Sequence, residues 1–410
     1  MVFQYSKFFT LLLVFSFYSS GALGLTLEES FSSALGIYQS DKVNDSKYQQ
    51  AIEATNQARS LYFPVLSAKG SYLKQDEALT QKAVGLNLTA NLFNGGKDSD
   101  KLGNFKVDEV IIKNTKKLDQ LGIYTEVVEA YFNFLLNLSE VKNLDLLKKQ
   151  SNERVLEIKK RVQIGRSRRG ELLQAEAQLA SVEAQLINGE GLYKQALEKL
   201  ILLTGLSENK IKEATLENLL DIKPFDEYLQ LALSREDVEN KQLEIEKFNR
   251  NLTIAKNHLM PKIDLSSNYY AYKDGSTTYK NADWDVGVNL TVPLYEGGSS
   301  RSQVKIEVEK KLTSQYQLID LKRKLTVELS SRFEAFKRYR DQITPFDQAL
   351  DRARKSYEET LRDYRLGLVT NLDVLTALNL YLDRKRDSEK TQILAVLSKK
   401  QIEVAAGILP

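Results

Sequence analysis

Two distant stretches of this chain repeat each other. Gly85–Gly96 reads GLNLTANLFNGG and Gly287–Gly298 reads GVNLTVPLYEGG, with seven of twelve positions identical and three more exchanging Leu/Val, Ala/Val and Phe/Tyr. The offset is 202 residues, and it recurs: Gly165 follows Gly95 by 70 residues, as Gly367 follows Gly297. Pro64 and Pro261 stand 21 and 26 residues before Gly85 and Gly287, so the second half carries a loop five residues longer. One offset in two separate motifs marks a tandem duplication, with a period far too long for a solenoid. The fold must therefore be built twice.

Each half combines two periodicities. From Gly96 to Gly165 there is no Pro. Leu121, Val128 and Leu135 share one heptad line and Tyr124, Tyr131 and Leu138 another, continued less regularly by Leu144, Leu147, Val155, Ile158 and Val162. The matching segment carries Leu312, Tyr316, Ile319, Leu329, Phe333 and Phe336. Helices over 96–164 and 298–366 would each reach ~100 Å. Pro345 lies inside the second and should kink or break it. Beyond each Gly turn the helical pattern resumes over 169–204 and 371–405, and shorter helices are expected before the prolines, over about 27–60 and 225–257. Residues 207–224 read as a polar linker ending at Pro224. The halves are thus 25–206 and 225–410.

Four stretches instead alternate strictly. Val84, Leu86, Leu88, Ala90 and Leu92 interleave with Gly85, Asn87, Thr89 and Asn91; Trp284, Val286, Val288, Leu290, Val292 and Leu294 interleave with Asp285, Gly287, Asn289, Thr291 and Pro293. Leu66, Ala68, Gly70 and Tyr72 alternate with Ser67, Lys69 and Ser71. The weakest case sets Ile263, Leu265, Tyr269 and Ala271 against Asp264, Ser266, Asn268 and Tyr270. Period two with one apolar face predicts strands, paired over about 63–93 and 262–295. Each is about 9–11 residues, the length of a tilted membrane-spanning strand. Four strands cannot close a membrane barrel, whose smallest forms have about eight, and an open edge in lipid strands backbone groups without partners. Either several chains pool their strands, two giving eight and three giving twelve, or the strands form a soluble sheet with one wet face.

Composition excludes most chemistry. With no Cys there are no disulfides, thiolate nucleophiles or Cys-held metals, and a single His cannot build a His-based metal cluster. Lys and Arg total 58 against 55 Asp and Glu, a balance that argues against neutralising nucleic-acid phosphates. Residues 1–24 read as a secretory signal: Lys7, then the apolar run Phe8–Tyr18, then the small-x-small site Ala22-Leu23-Gly24. The run is shorter than the ~20 residues that span a bilayer. No later stretch reaches 18 apolar residues, so any membrane entry is as β-structure.

The junctions Leu92-Phe93-Asn94-Gly95-Gly96 and Leu294-Tyr295-Glu296-Gly297-Gly298 resemble the paired strand-to-helix turns of the TolC-type outer membrane efflux proteins. Tyr364-x-x-Gly367-x-x-Thr370-x-Leu372-Asp373-Val374-Leu375 resembles the helix-tip motif of the same family. The resemblance covers essentially the whole mature chain. It implies a mainly α fold with a small membrane β part: a homotrimer whose pooled strands form a twelve-stranded barrel in outer membrane lipid, continued by a long α-helical coiled-coil barrel across the periplasm. It also implies a periplasmic adaptor and an inner-membrane transporter as partners, export of drugs, metals or proteins, and neither catalysis nor a cofactor.

On this resemblance the turns at Gly165 and Gly367 become periplasmic tips, with Arg166 and Ser167, and Leu368, Val369 and Thr370, as adaptor-docking candidates. Each glycine equally suits a helix C-cap that needs positive φ. Asp373 falls where the family carries an acidic ring, which would favour cations. Thr370-x-x-Asp373 also reads as an N-cap with an acid in the first turn, which needs no pore. Thr376 stands where some relatives have a second acid, so a ring here would be single. Glu171 is the first-half equivalent of Asp373, and its neighbours Arg168 and Arg169 are placed to pair with acids of an adjacent hairpin. Gly95-Gly96 and Gly297-Gly298 read as turns, since no Gly-Lys-Ser/Thr ending makes them phosphate loops. Trp284 with Tyr269, Tyr270, Tyr272 and Tyr279 suits an interfacial aromatic belt, although strand propensity also explains the tyrosines. His258 reads as a surface residue at a helix end. The competing function is an exported coiled-coil scaffold or adhesin without a pore.

Overall fold

The computed structural model describes residues 25–74, 80–211, 221–274 and 282–410. The expected signal at 1–24, part of the expected linker and Tyr279 lie outside the described residues. Two helices dominate: α3 (Lys97–Gln163, 67 residues) and α8 (Ser299–Leu366, 68 residues), each ~100 Å long. Each pairs with the helix that follows its turn, α3 with α4 (Arg169–Thr204) and α8 with α9 (Asn371–Ala405), and the two hairpins meet along α3 and α9. The heptad residues Leu121, Tyr124, Val128, Tyr131 and Leu135 are buried. They enter the main core with Leu25, Phe31, Phe134, Leu200 and Ile393, and the Tyr131 hydroxyl donates to the Leu25 carbonyl at 2.8 Å. On α8, Leu329, Phe333 and Phe336 are buried, but Tyr316 and Ile319 are exposed.

The shorter segments differ from the sequence expectation. The stretch 27–60 is two helices, α1 (Leu27–Ile37) and α2 (Ser40–Arg59), because Tyr38 is extended at ψ 120. The stretch 225–257 is likewise α6 (Phe225–Leu233) and α7 (Glu236–Lys256), the latter followed by a single 3₁₀ turn. Here the break is tertiary: Arg235, extended at ψ 153, pairs with Asp237 at 2.9 Å and donates to the Ala405 carbonyl at the end of α9. Nor is the linker polar at its start, where the one-turn α5 (Glu208–Ile211) buries Ile211 in the main core. Pro345 does not break α8. It lies on the exposed side, where the carbonyl it leaves without a helical donor can meet water.

The strands are β1 (Val65–Leu73), β2 (Gln81–Asn94), β3 (Lys262–Asp274) and β4 (Trp284–Thr291), antiparallel in the order β1-β2-β3-β4. β4 ends before the expected Val292 and Leu294, since Pro293 has no N–H for the ladder. The hairpins keep the duplication in register: Leu66 faces Leu88, as Ile263 faces Leu290. Between them β2 and β3 pair with a bulge beside Gly85, where a Cβ would lie 2.0 Å from the Tyr269 carbonyl oxygen. Gly70 meets only Val84 Cγ2, at 4.0 Å. Gly85→Ala is therefore expected to destabilise the sheet by about 3 kcal/mol, while Gly70→Ala leaves it near wild type. Thermal unfolding of the detergent-extracted protein distinguishes the two.

Candidate functional site

The sheet register sorts the strand residues onto two faces. Leu66, Leu88, Ser267 and Val286 form one row; Tyr269 opposite Trp284, and Leu265 opposite Val288, extend that face. Most of its large side chains are uncovered, Leu86 46% and Tyr72 67% exposed with Leu66, Tyr269, Trp284, Val286 and Val288 between them, while Leu88 and Leu265 are half-buried. An apolar patch of this extent seeks something other than water. Trp284, Tyr269 and Tyr272 lie on it, as an aromatic belt would require. Tyr270 does not: it follows Tyr269 by simple alternation onto the opposite face, where its hydroxyl donates to Asp285 at 2.8 Å, and it is Tyr272 that the bulge brings opposite Val84.

That opposite face is polar. Ser67, Asn87, Asn268 and Asp285 occupy one row across all four strands. Asn87 donates to Asn268 at 2.7 Å and Asn268 to Asp285 at 2.9 Å. Asn87 is buried, and the bonded row satisfies groups that would otherwise be costly to bury.

The strand-to-helix junctions hold the sheet on the helices. Gly95 and Gly96 have φ 61 and 74, and Gly297 and Gly298 have φ 62 and 88, a left-handed reversal that a side chain would strain. Asn257 donates to the Gly95 carbonyl at 3.0 Å, and the neighbouring His258 lies 2.9 Å from Glu296. The single His is half exposed and ties a helix end to the second junction.

The other ends of the hairpins carry the tip residues. Gly165 (φ 72) and Gly367 (φ 79) close their helices identically. Arg166 N–H bonds the Arg161 carbonyl and Gly165 N–H the Val162 carbonyl, while Leu368 N–H bonds Asp363 and Gly367 N–H bonds Tyr364. Both are C-terminal motifs that satisfy orphan carbonyls. Ile164, Leu366, Leu368 and Leu372 are exposed there, beside Val369.

Asp373 sits in a capping box. Its carboxylate accepts from the Thr370 N–H at 2.8 Å and the Thr370 hydroxyl at 2.6 Å, and its own N–H reaches Thr370 Oγ1 at 3.4 Å. The Thr370 hydroxyl, then its N–H, hold this exposed carboxyl below the ordinary carboxylate value. It is ionised and unburied. Thr376, one turn on, spends its hydroxyl on the Leu372 carbonyl. Glu171 takes the matching position on α4 but bonds Ser167 at 3.2 Å. Arg168 and Arg169 are exposed and make no ion pair within the described residues of the protomer.

One tip feature escaped the sequence reading. Tyr364 is buried between two guanidiniums of α3, Arg154 at 5.1 Å and Arg161 at 4.2 Å from its ring centre. Glu157 ion-pairs both arginines, at 2.7 and 3.2 Å. The available signal is a departure from the repeat: 202 residues apart, Arg154, Arg161 and Tyr364 answer to Ser356, Asp363 and Val162. The Tyr364 hydroxyl has no hydrogen-bond partner among the described residues of the protomer. Tyr364→Phe is therefore expected to keep or raise the melting temperature, and Tyr364→Leu to lose about 1–2 kcal/mol of cation–π contact. Destabilisation by the phenylalanine would mean that the assembled protein supplies a partner for the hydroxyl.

Long helical hairpins standing on a strand quartet that is apolar outside and polar inside define the subunit of a β-barrel channel with a helical extension. Among the described residues no helix is long and apolar enough to cross a membrane. The family profile described as "Outer membrane efflux protein" matches residues 46–206 and 228–405, one segment in each half. The chain belongs to the outer membrane efflux protein family, a family of channels. It is 22% identical to outer membrane protein TolC of Vibrio cholerae, over 95% of this chain and 94% of that one. It is 21% identical to the alkaline protease secretion protein AprF of Pseudomonas aeruginosa, over 70% and 62%. The crystal structure of the outer membrane protein VceC from Vibrio cholerae superposes with a TM-score of 0.80 at 19% identity, over 93% of this chain and 96% of that one.

Proposed function

We propose that the chain is one third of a passive export duct in the outer membrane. The observation that carries this reading is the sheet: an exposed apolar face, a hydrogen-bonded polar face, and two strand edges, β1 and β4, without partners among the described residues of the protomer. In lipid those edges must be paired, and three copies supply twelve strands, an even number that closes around a water-filled lumen. The helical hairpins then extend into the periplasm as a tunnel.

The tips are the periplasmic end. Gly165, Arg166 and Ser167 with Gly367, Leu368, Val369 and Thr370 form the surface that a periplasmic adaptor docks on, and an inner-membrane transporter feeds the duct. Export needs no catalytic group in this reading, and cargo is selected upstream. Asp373, exposed and ionised, forms a ring of three at the constriction. Glu171 stays bonded to Ser167, leaving Arg168 and Arg169 free to pair with acids of the adjacent copy and hold the tips together.

Reconstitution in planar bilayers tests the duct and the ring together. The wild type is expected to conduct with a preference for cations, and Asp373→Ala to reduce the cation-to-anion permeability ratio roughly two-fold or more, as loss of three converging charges implies. An unchanged ratio would remove the ring and leave the duct standing. Absence of any conductance would remove the duct.

A further inference from the structure

Among the described residues two strand edges are open, and the duplication specifies how they meet. We infer that β4 of one copy pairs with β1 of the partner in the register that β2 and β3 already use within the chain, so that Asn289 lies opposite Ser71 of the partner subunit and Thr291 opposite Lys69 of the partner subunit. The inference rests on the trimeric duct proposed above and adds the residues that form its seams.

The derivation has three steps. First, the repeat offset is 202 for β2 to β4 and 197 for β1 to β3, and the hairpins obey both: Val65 faces Thr89 as Lys262 faces Thr291, and Ser67 faces Asn87 as Asp264 faces Asn289. Second, β2 and β3 are the outgoing strand of one repeat and the incoming strand of the next, which is also the relation of β4 to the following copy's β1. Their pairs are Leu86 with Tyr269, Asn87 with Asn268, Leu88 with Ser267 and Thr89 with Ser266. The two offsets turn these into Val288 with Tyr72, Asn289 with Ser71, Leu290 with Gly70 and Thr291 with Lys69.

Third, backbone direction and face both agree. The Tyr270 N–H donates to the Asp283 carbonyl at 2.9 Å, so odd-numbered residues of β4 turn their backbone groups toward β3. Alternation then points those of Trp284, Val286, Val288 and Leu290 at the open edge, where the derived register needs them. The seam sets Val288 and Leu290 beside Tyr72 and Gly70 on the apolar face, and Asn289 and Thr291 beside Ser71 and Lys69 on the polar one. A slip by one residue would put each set on the wrong face. Lys69, exposed in the isolated protomer, comes to line the lumen at the seam.

Engineered disulfides test the register, with no native Cys in the chain to interfere. Asn289 with Ser71 and Thr291 with Lys69 are non-hydrogen-bonded pairs, with Cα atoms about 4.5 Å apart, within disulfide reach. Within one chain β1 and β4 stand three strand spacings apart, roughly 14 Å, so any cross-link joins two copies. The matched double variants are Asn289→Cys with Ser71→Cys and Thr291→Cys with Lys69→Cys. The swapped ones are Asn289→Cys with Lys69→Cys and Thr291→Cys with Ser71→Cys. All four use the same substitutions, so a folding defect cannot favour one set. After mild oxidation of outer membranes, the matched pairs are expected to give covalent dimers and trimers on non-reducing gels about ten-fold more efficiently than the swapped pairs, whose diagonal Cα separation of about 7–8 Å exceeds disulfide reach. Cross-linking by a swapped pair instead would overturn this register while the trimeric duct stood. A trimeric particle with no cross-link from any pair would overturn β1–β4 pairing at these residues. A monomeric particle with none would overturn the duct as well.

Discussion

Backbone hydrogen bonding at the edges of a four-stranded sheet is the constraint on which this molecule depends. In water an unpaired edge is tolerable; in hydrocarbon each unpaired N–H or C=O costs several kcal/mol. The apolar face, with Trp284, Val286, Val288 and Leu290 uncovered, is suited to hydrocarbon and unsuited to water. A chain that makes only four strands is therefore incomplete in the membrane, and symmetry is the economical completion. The duplication carries the same logic inside the chain, where β2 already treats β3 as the first strand of a neighbour.

The long helices follow from the other end of the same problem. Each strand hairpin ends in a Gly-Gly reversal that sends the chain directly into a helix of nearly seventy residues. Among the described residues no helix is long and apolar enough to cross the bilayer. The long helices bury one stripe against each other and leave tips whose ordered ends are Schellman-type caps and one capping box. The tips are stabilised by ordinary helix-end chemistry, and that chemistry leaves Asp373 ionised and exposed. The cap and the proposed pore role are compatible.

Much of this was legible in the sequence because it depends on period and repetition. Alternation at Leu86, Leu88 and Ala90 fixes which side chains share a face, and a 202-residue offset in two motifs reveals two equivalent halves. What was not legible depends on tertiary partners. Nothing local shows that Arg235 will bond the Ala405 carbonyl and split the helix between Phe225 and Lys256, or that Ile211 will leave a polar segment for the core. The Arg154–Tyr364–Arg161 stack joins residues about two hundred positions apart and appears in sequence only as a break in the repeat. Pro345 was read by its local penalty, and the exposed side of α8 accommodates it.

The most direct measurement is the protein mass of the native particle, taken by light scattering after outer membrane fractionation and mild detergent extraction. Three chain masses in a particle that sediments with outer membranes is the predicted result. A soluble, elongated particle of one or two chains, recovered without detergent, would mean that the sheet never enters lipid and that its apolar face is covered in some other way.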